Sequence, residues 1–360
     1  MDCDLFSYWS RGEIRSIDIP DIYTRTKYLL TRDPVDARRA YPELLSQHRF
    51  VDMGQFIPPP SLPKRLPLFS FLLQFRFKLA TPYISRDDDA FYICDNPIRK
   101  DKVFKTPMIP GTSWKGNMRW TAGKEMEETD SDEAWLALRI RLVRLFGQEN
   151  KGEKRYFDSF KSPQLNDTFN KAIDSQTTKG SRRGRLHFHP TFFNGIGLEV
   201  INPHSRKTKA GTQPIYFETV PAGAEGIFTL LYVPFDLLGS PTAKTQKEVP
   251  EDMRTIADSI CKMMCSYGFS AKKGNSFGIA EEKIGGTFEM VGVKLPQKKA
   301  EQVKKAMLKT EQESPFAKLR VLKTADSIAD GDVAHFSSFK ELKELIESAA
   351  DEVGGLNHDR

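Results

Sequence analysis

The segment 69–80, FSFLLQFRFKLA, constrains the fold of this chain more than any other stretch. Phe69, Phe71, Leu73, Phe75 and Phe77 alternate with their neighbours along it. Alternation of aromatic and branched residues with a period of two is typical of a β-strand. We therefore predict that the folded core begins with a strand at this position.

Three later segments have the apolar spacing of a helix. In the first, Trp114, Met118 and Ala122 share one face because they are spaced by four. The second is predicted from about 133 to 146 and the third from about 251 to 267, and each is ended by a glycine.

Further strands are predicted at 184–193, at 216–220 and 226–235, and near 279–284, whereas 148–184 reads as polar and irregular. The order is strand, helices, strands, helix, glycine-rich loop, strand. This order predicts an α+β domain with antiparallel pairing, compatible with a ferredoxin-like split βαβ core that carries long insertions.

The two ends of the chain are interpreted as extensions. Residues 1–66 end in the proline cluster IPPPSLPKRLP, which favours extended chain, and form a predicted N-terminal extension. Residues 291–360 form a predicted helical C-terminal extension. In it, Ser338 and Glu341 have the spacing of a capping box ahead of a helix to about Ala350.

Bulk composition indicates an ordinary soluble protein, with 39% hydrophobic and 28% charged residues among 360. The net charge of +6 is weak evidence for nucleic acid, but positive charge concentrates in two segments, 96–124 and 176–213. Four cysteines do not make a disulfide framework. Since neither a signal peptide nor an apolar run of about 18 residues is found, we expect a cytoplasmic protein without membrane partners.

The stretch from Asp95 to Arg119 holds the strongest functional signal. An Asp-Asn-Pro turn leads through a basic run to Pro-Gly-Thr-Ser, which opens the helix that carries Lys115 and Arg119. The amides of a helix start attract phosphate, and Thr112, the predicted N-cap, and Ser113 add hydroxyl groups. This arrangement suits a polyanionic ligand with one carboxylate, Asp95, placed to act on it. A capped surface helix and a simple turn aspartate would have the same spacing.

Two loops add to this signal. The loop 268–278, GFSAKKGNSFG, interleaves glycines with Lys272, Lys273 and Asn275, which suits close approach to a nucleic-acid backbone and equally a flexible hairpin connection. The loop 202–213 is too polar to pack, so it reaches a partner or stays disordered. Aromatic rings on which bases could stack, although most fit a core equally well, are Trp114, Trp120, Phe192, Phe193 and Tyr216.

Other candidate groups favour structural roles. His187 and His189 share a strand face and could form a metal pair, but structural histidines are favoured because no carboxylate has a fitting spacing. The acidic run 87–89 is a solvated loop tip or a supplement to a metal site. Cys261 and Cys265 are interpreted as small core residues.

Three motifs in order resemble the RAMP superfamily of CRISPR-associated proteins, most closely the backbone subunits of type III effector complexes. DNPIRKD…TPMIPGTSWKGNMR resembles the family's aspartate-proline turn followed by Pro-Gly-Ser-Ser-Leu-Lys-Gly and an arginine. HSRKTKAGTQPIYFETVPAG resembles its thumb hairpin, and YGFSAKKGNSFGIAEEKI resembles its C-terminal glycine-rich loop. Trp114 replaces the usual leucine, and Thr219 stands where an arginine is expected.

The resemblance implies a modified RNA-recognition-type ferredoxin fold over about 67–290, with a thumb insertion near 194–220. It implies a subunit that polymerises along a CRISPR RNA and cuts target single-stranded RNA through Asp95, with a divalent metal ion, Mg²⁺ or Mn²⁺, held there. Its partners would be other RAMP subunits and a large polymerase-like subunit. Guide contacts, taken together with the phosphate-binding motif, fall on Gly111, Thr112, Ser113, Lys115, Arg119, Arg206, Lys207, Lys272, Lys273, Gly274 and Asn275.

Two alternatives stay open at this point. A non-catalytic RNA-binding or capping subunit of the same kind of complex would use Asp95 only as a turn residue, with the unusual extensions docking a neighbouring protein. A small-molecule enzyme would need a cofactor fingerprint, which the sequence lacks.

Overall fold

The predicted first strand forms as β1 and lies at the centre of the main sheet. The structure, a computed structural model, describes residues 39, 41–43, 45, 50, 53–57, 60–63, 65–87, 96–174, 182–202, 211, 215–295 and 333–355. The strands are β1 (Phe71–Lys78), β2 (Met108–Ile109), β3 (Leu186–Phe188), β4 (Thr191–Phe192), β5 (Gly197–Ile201), β6 (Ile215–Thr219), β7 (Glu225–Tyr232), β8 (Lys283–Met290) and β9 (Val333–Ser338). The helices are α1 (Gly111–Glu127), α2 (Asp132–Phe146), α3 (Lys151–Asp158), α4 (Pro163–Asp174), α5 (Thr242–Lys262) and α6 (Phe339–Gly355).

The main sheet has five strands in the order β3-β7-β1-β8-β9, and every neighbouring pair is antiparallel. In the register of β1, Phe75 lies opposite Phe228 of β7 and Gly286 of β8. Two smaller antiparallel pairs, β2–β4 and β5–β6, stand outside this sheet. The prediction of a mixed fold with antiparallel pairing is therefore confirmed.

The aromatic face of β1 forms the core, as its alternation predicts. The Phe77 ring meets Trp114 of α1 edge-on at 6.1 Å, and the Phe75 ring meets Phe339 of α6 edge-on at 5.6 Å. Met253 and Ile256 of α5 join the same buried cluster. Burying a side chain of this size stabilises the fold by about 1.5–3 kcal/mol, so this layer of helices on one sheet face dominates the stability of the domain.

Several described residues of the first 66 contact the rest of the molecule. Gln74, which points away from the helices, donates through Nε2 to the carbonyl of Pro60 at 3.0 Å. Tyr41 and Leu45 are buried within the main core cluster. This part of the chain therefore packs on the sheet domain.

The prediction that 148–184 is irregular is wrong, because α3 and α4 form there. Asn150 caps α3 by accepting from the amides of Gly152 and Glu153, and the Glu153 side chain accepts from the Asn150 amide in return. Phe157 and Phe169 are the buried anchors of these two helices. Phe157 is the one buried side chain of α3, so apolar periodicity missed that helix, whereas Ile173 of α4 is also buried four residues after Phe169 and was a helical signal.

Several predicted boundaries also move. Helix α5 begins at Thr242, nine residues early, and continues past Pro250 before a π-helical turn ends it at Tyr267. The predicted strand 184–193 divides into β3 and β4, and the last predicted strand forms later, as β8. The segment 90–94, AFYIC, whose sequence also predicts a short strand, lies outside the described residues.

The C-terminal region completes the sheet and the helical layer. Strand β9 pairs with β8, and the predicted helix after Ser338 forms as α6, which packs against α5. The capping box is present in outline: Ser338 Oγ accepts from the Glu341 amide at 3.2 Å, and Glu341 accepts from the amide of Ser337 at 2.8 Å. These elements are thus integral to the fold.

A buried cluster of charges joins α2, β7 and α5. The Asp252 carboxylate accepts four hydrogen bonds: two from Arg144, at 2.8 and 2.6 Å, and one each from Arg185 Nη1 and the Tyr232 hydroxyl, both at 2.8 Å. Burial by itself lowers the pKa of the Arg144 guanidinium, but the charge and hydrogen bonds of Asp252 outweigh it, and the pKa is raised. The Arg144 guanidinium is therefore held in its charged form inside the protein.

The helices of the described chain leave no membrane-spanning candidate, because none of them is both long and apolar enough to cross a bilayer.

Candidate nucleic-acid interface

The start of α1 is held tightly against β3. Pro110 occupies the N-cap position and no side chain caps the helix, so the prediction of Thr112 as N-cap is wrong. Thr112 instead lies exposed in the first turn, beside Ser113. A Cβ at Gly111 would collide with the carbonyl oxygen of Phe188, so glycine is required for this close approach. The uncapped first turn keeps the favourable electrostatics of a helix N-terminus for an anion.

Lys115 stands in a positively charged surrounding. Its pKa is lowered by partial burial and then by the charge of Arg119, against a smaller opposite effect of Glu153. The pKa of His187 on β3 is lowered by burial first and then by Arg183, His189 and Lys115. The two histidines are therefore neutral at pH 7, and the cations around His187 oppose the binding of a metal ion there. An anion would relieve the repulsion within this cluster.

Arg119 is committed mainly to α3 and to the loop that precedes it. Its Nε lies 2.9 Å from Glu153 Oε1, and its Nη1 donates to the carbonyl of Gln148 at 3.3 Å. Its Nη2 is buried and has no hydrogen-bond partner among the described residues. Burial lowers the pKa of the guanidinium, and Glu153 and Glu149 oppose this. Arg119 therefore fixes α1 to α3 and to the loop before it.

The glycine loop 268–278 has a closed base and an exposed tip. The Phe269 amide donates to the carbonyl of Gly278 at 3.0 Å, and Ser270 Oγ exchanges hydrogen bonds with the backbone of Ile84, each at 2.9 Å. Gly278 has φ +72°, and a Cβ there would come within 2.7 Å of Ser270. Gly274 and Asn275 are exposed at the tip, so a rigid base presents this tip to solvent.

The glycine loop lies beside α1. Asn117 of α1 donates through Nδ2 to the carbonyl of Phe269 at 3.0 Å. Lys273 Nζ lies 4.0 Å from the centre of the Trp120 ring, also on α1, and Lys272 Nζ lies 4.5 Å from the centre of the Phe217 ring on β6. Burial lowers the pKa of Lys273 to about 8. The structure thus brings together the two segments that the sequence singled out.

The chain that follows Asp95 is bound to the base of the β5–β6 hairpin. The Glu218 amide donates to the carbonyl of Asn96 at 3.0 Å, and the buried Glu218 carboxylate accepts from the amide of Ile98 at 3.0 Å and from Lys100 Nζ. Three predicted site residues, Asp95, Arg206 and Lys207, lie outside the described residues.

The described acids do not form a metal site. No group of three or more His, Cys, Asp or Glu side chains within the described ranges is arranged to hold a metal ion. Asp87 pairs with Arg99 at 3.6 Å, and Asp101 Oδ1 accepts from the amides of Val103 and Phe104, at 2.9 and 2.8 Å. These carboxylates are engaged by cations and amides. The other members of the acidic run, at 88 and 89, lie outside the described residues, as Asp95 does.

The five predicted stacking aromatics differ in exposure, and Phe192 is half-buried. Trp114 and Phe193 are buried in the core, whereas Trp120 and Tyr216 are exposed. Asn117, which ties α1 to the glycine loop, was missed as a candidate, although it shares a helix face with Ser113 because the two are four residues apart. That spacing was the available signal.

Known proteins resemble this chain at the level of family. A family model described as the RAMP superfamily matches residues 76–309. A relative from Streptococcus thermophilus, the CRISPR system Cms endoribonuclease Csm3, is 27% identical over 203 residues, which cover 54% of this chain and 77% of the relative.

Three solved structures resemble the chain weakly. A chain of the type III-B Cmr-beta complex bound to cognate target RNA has 12% identity and a TM-score of 0.41, covering 78% of this chain and 81% of its own. A chain of a CRISPR RNA-guided surveillance complex also has 12% identity and a TM-score of 0.41, covering 79% and 99%. The Methanopyrus kandleri Csm3 crystal structure has 16% identity and a TM-score of 0.40, covering 81% and 99%. Because these scores lie below 0.5, the family assignment rests on the sequence match.

Proposed function

Because this chain belongs to the RAMP superfamily, we propose that it is an RNA-binding backbone subunit of a type III CRISPR effector complex. In this proposal it binds the guide RNA and cuts target single-stranded RNA paired to that guide. Its partners are other RAMP subunits and a large polymerase-like subunit. The name of the Streptococcus thermophilus relative, an endoribonuclease of a CRISPR system, supports the nuclease part of the proposal.

One observation carries the RNA-binding part: the glycine loop and α1 form one surface. The hydrogen bond from Asn117 to Phe269 joins them, and Lys273 lies over Trp120 of the same helix. Lys115 and the uncapped helix start continue this surface towards β3. Ammonium groups, free amides and exposed glycine backbone are the groups that contact a phosphate backbone without reading its sequence.

The finer fold assignment is also a proposal. We interpret the strand and helix order β1-α1-β3-β7-α5-β8, with β1 between β7 and β8 and with β3 outside β7, as a modified ferredoxin-like core. The β5–β6 hairpin, α3 and α4 are then insertions, and β5–β6 corresponds to the thumb.

Asp95 is the residue to which we assign cleavage. Its carboxylate would orient the ribose 2′-hydroxyl for attack on the adjacent phosphorus, which makes the 5′-oxygen of the next nucleotide leave. A divalent cation, Mg²⁺ or Mn²⁺, would neutralise developing charge on the phosphate. The described residues supply no metal site, so the metal requirement rests on the family resemblance, and chelation tests it.

The binding surface is tested by the salt dependence of RNA affinity. Lys115→Gln combined with Lys273→Gln should weaken binding of a single-stranded guide and reduce the slope of log K against log salt by about 1.4, since each lost phosphate contact on a single strand removes about 0.7. Fluorescence anisotropy of a labelled oligoribonucleotide at several salt concentrations measures this slope. The matched control is Lys244→Gln with Lys340→Gln, two exposed lysines on α5 and α6. An equal loss of slope in both double variants would contradict the proposed surface.

Affinity should also fall as the pH rises past the pKa of Lys273. Burial lowers this pKa to about 8, so the ammonium is charged at pH 7 and largely neutral at pH 9. Losing one ionic contact of about 1 kcal/mol should weaken RNA binding about fivefold between these pH values. Lys273→Arg keeps its charge and should remove this part of the pH dependence. An identical pH profile for the arginine variant would contradict the assignment.

A further inference from the structure

Trp120 stands out among the large side chains of α1 because it is exposed. Trp120 is 42% exposed as a residue, whereas Trp114 and Met118 of the same helix are buried. A single exposed apolar residue is ordinary on a protein surface, so exposure alone assigns no role to Trp120.

The second observation is the set of groups around the ring. Lys273 Nζ lies 4.0 Å and Lys124 Nζ 5.3 Å from the ring centre. Tyr267 meets the indole edge-on, with the ring centroids 5.4 Å apart, and fixes its orientation. Lys124 also pairs with Glu127 at 2.7 Å. The ring is thus held in place and flanked by two ammonium groups.

The third observation is the shape of the exposed face of α1. Thr112, Gly116 and Trp120 follow one another at intervals of four residues, so they share a helix face, and all three are exposed. Nothing lies within 4 Å of a Cβ built at Gly116. An open strip about 12 Å long, at 1.5 Å per residue, therefore leads from the helix start to the indole.

We propose that Trp120 is a stacking platform for one unpaired nucleobase of bound single-stranded RNA, with Lys273 contacting the neighbouring phosphate. This inference rests on the proposed RNA-binding function and specifies the part of α1 that takes a base. Among the described residues, the Lys273 ammonium lies against the Trp120 ring. When RNA binds, the phosphate takes up this ammonium and the base takes the ring face. Base–aromatic stacking is strong and tolerates any base because every base has a π-face.

The test is a cycle of protein and RNA changes, measured on the full chain. Trp120→Ala should weaken binding of oligouridylate about tenfold, whereas Trp120→Phe should stay within about threefold because a phenyl ring still stacks. An oligomer of abasic ribose phosphates carries the same charge but has no bases. For this oligomer the difference between the parent and Trp120→Ala should vanish. The salt slope of Trp120→Ala should equal that of the parent, since no phosphate contact is removed.

The control and the contrary outcomes are distinct. Phe160→Ala removes an aromatic side chain of similar exposure, 39%, outside this surface, and should leave both affinities unchanged. Equal weakening of oligouridylate and abasic binding by Trp120→Ala would show a structural role and overturn the inference. Unchanged RNA binding with lost assembly of the complex would assign Trp120 to a protein partner and also overturn it.

Failure of the inference can be told from failure of the proposed function. If the Lys115 and Lys273 double variant weakens binding but Trp120→Ala does not, only the stacking role is wrong. If neither variant changes affinity, RNA does not bind this surface, and both proposals are wrong.

Discussion

Asp95→Ala is expected to abolish target-RNA cleavage in the assembled complex while leaving guide-RNA affinity within about twofold of the parent. A catalytic group of this kind contributes about a hundredfold or more to the rate, whereas the binding surface on α1 and the glycine loop is left intact. Product analysis on a denaturing gel under single-turnover conditions measures the loss. A 2′-deoxy substitution at the cleavage site should stop the parent complex equally, because the attacking oxygen is then missing.

Asp101→Ala is the matched control for this change. Its carboxylate already accepts from the amides of Val103 and Phe104, so cleavage should survive its loss.

Asp87→Ala decides whether the acidic run assists the metal. Chelation of divalent cations should stop cleavage by the parent complex, and added Mg²⁺ or Mn²⁺ should restore this cleavage. Undiminished cleavage by Asp95→Ala would remove the catalytic assignment, and a parent complex that never cuts would favour the capping alternative.

Asp252→Ala is expected to destabilise the fold by about 3–5 kcal/mol, because it leaves two buried guanidinium groups without their shared carboxylate. Arg144 and Arg185 both donate to Asp252, and both are buried. Urea unfolding should show a lower midpoint with an unchanged m-value if the native state keeps its compactness.

The same substitution six residues further along α5 provides the comparison. Asp258 is partly exposed and pairs with Lys343 at 2.6 Å, and an exposed pair contributes about 1 kcal/mol or less. Asp258→Ala should therefore shift the midpoint far less than Asp252→Ala. Equal shifts of the urea midpoint in the two variants would mean that the buried Asp252 contributes no more to stability than the partly exposed Asp258, which would contradict the prediction.

The parts of the fold that could be predicted are those with a local signal. The alternation in β1 and β7 and the apolar stripe of α2 mark buried faces, and the structure confirms these elements. In α4, Leu165, Phe169 and Ile173 recur every four residues, a helical spacing that was overlooked. Helix α3 has one buried side chain, Phe157, and could not be found in this way, because its burial depends on Arg139 of α2. Its guanidinium lies 5.7 Å from the Phe157 ring and 3.9 Å from the Phe169 ring. A charged residue as the centre of an aromatic cluster has no periodic signature.

The candidate site shows the same division. The start of α1 and the glycine loop were visible as motifs, since glycines and lysines at fixed offsets have a physical reason to be there. Their junction was not visible, because Asn117 and Phe269 are 152 residues apart in sequence. Nor could the sequence show that Arg119 is engaged by Glu153, which comes from a helix that the sequence did not reveal.

The late position of β9 and α6 in the chain has a consequence for how the protein is made. Strand β8 ends at Met290, but its outer neighbour begins only at Val333, and α6 follows it. Until β9 and α6 have been synthesised, β8 lacks this neighbouring strand, and the apolar surface of α5 that α6 covers is exposed. Both are closed together once the final helix emerges. Strand β9 then becomes the outer strand on this side of the sheet, so an added strand from another molecule would have to pair with β9 and not with β8.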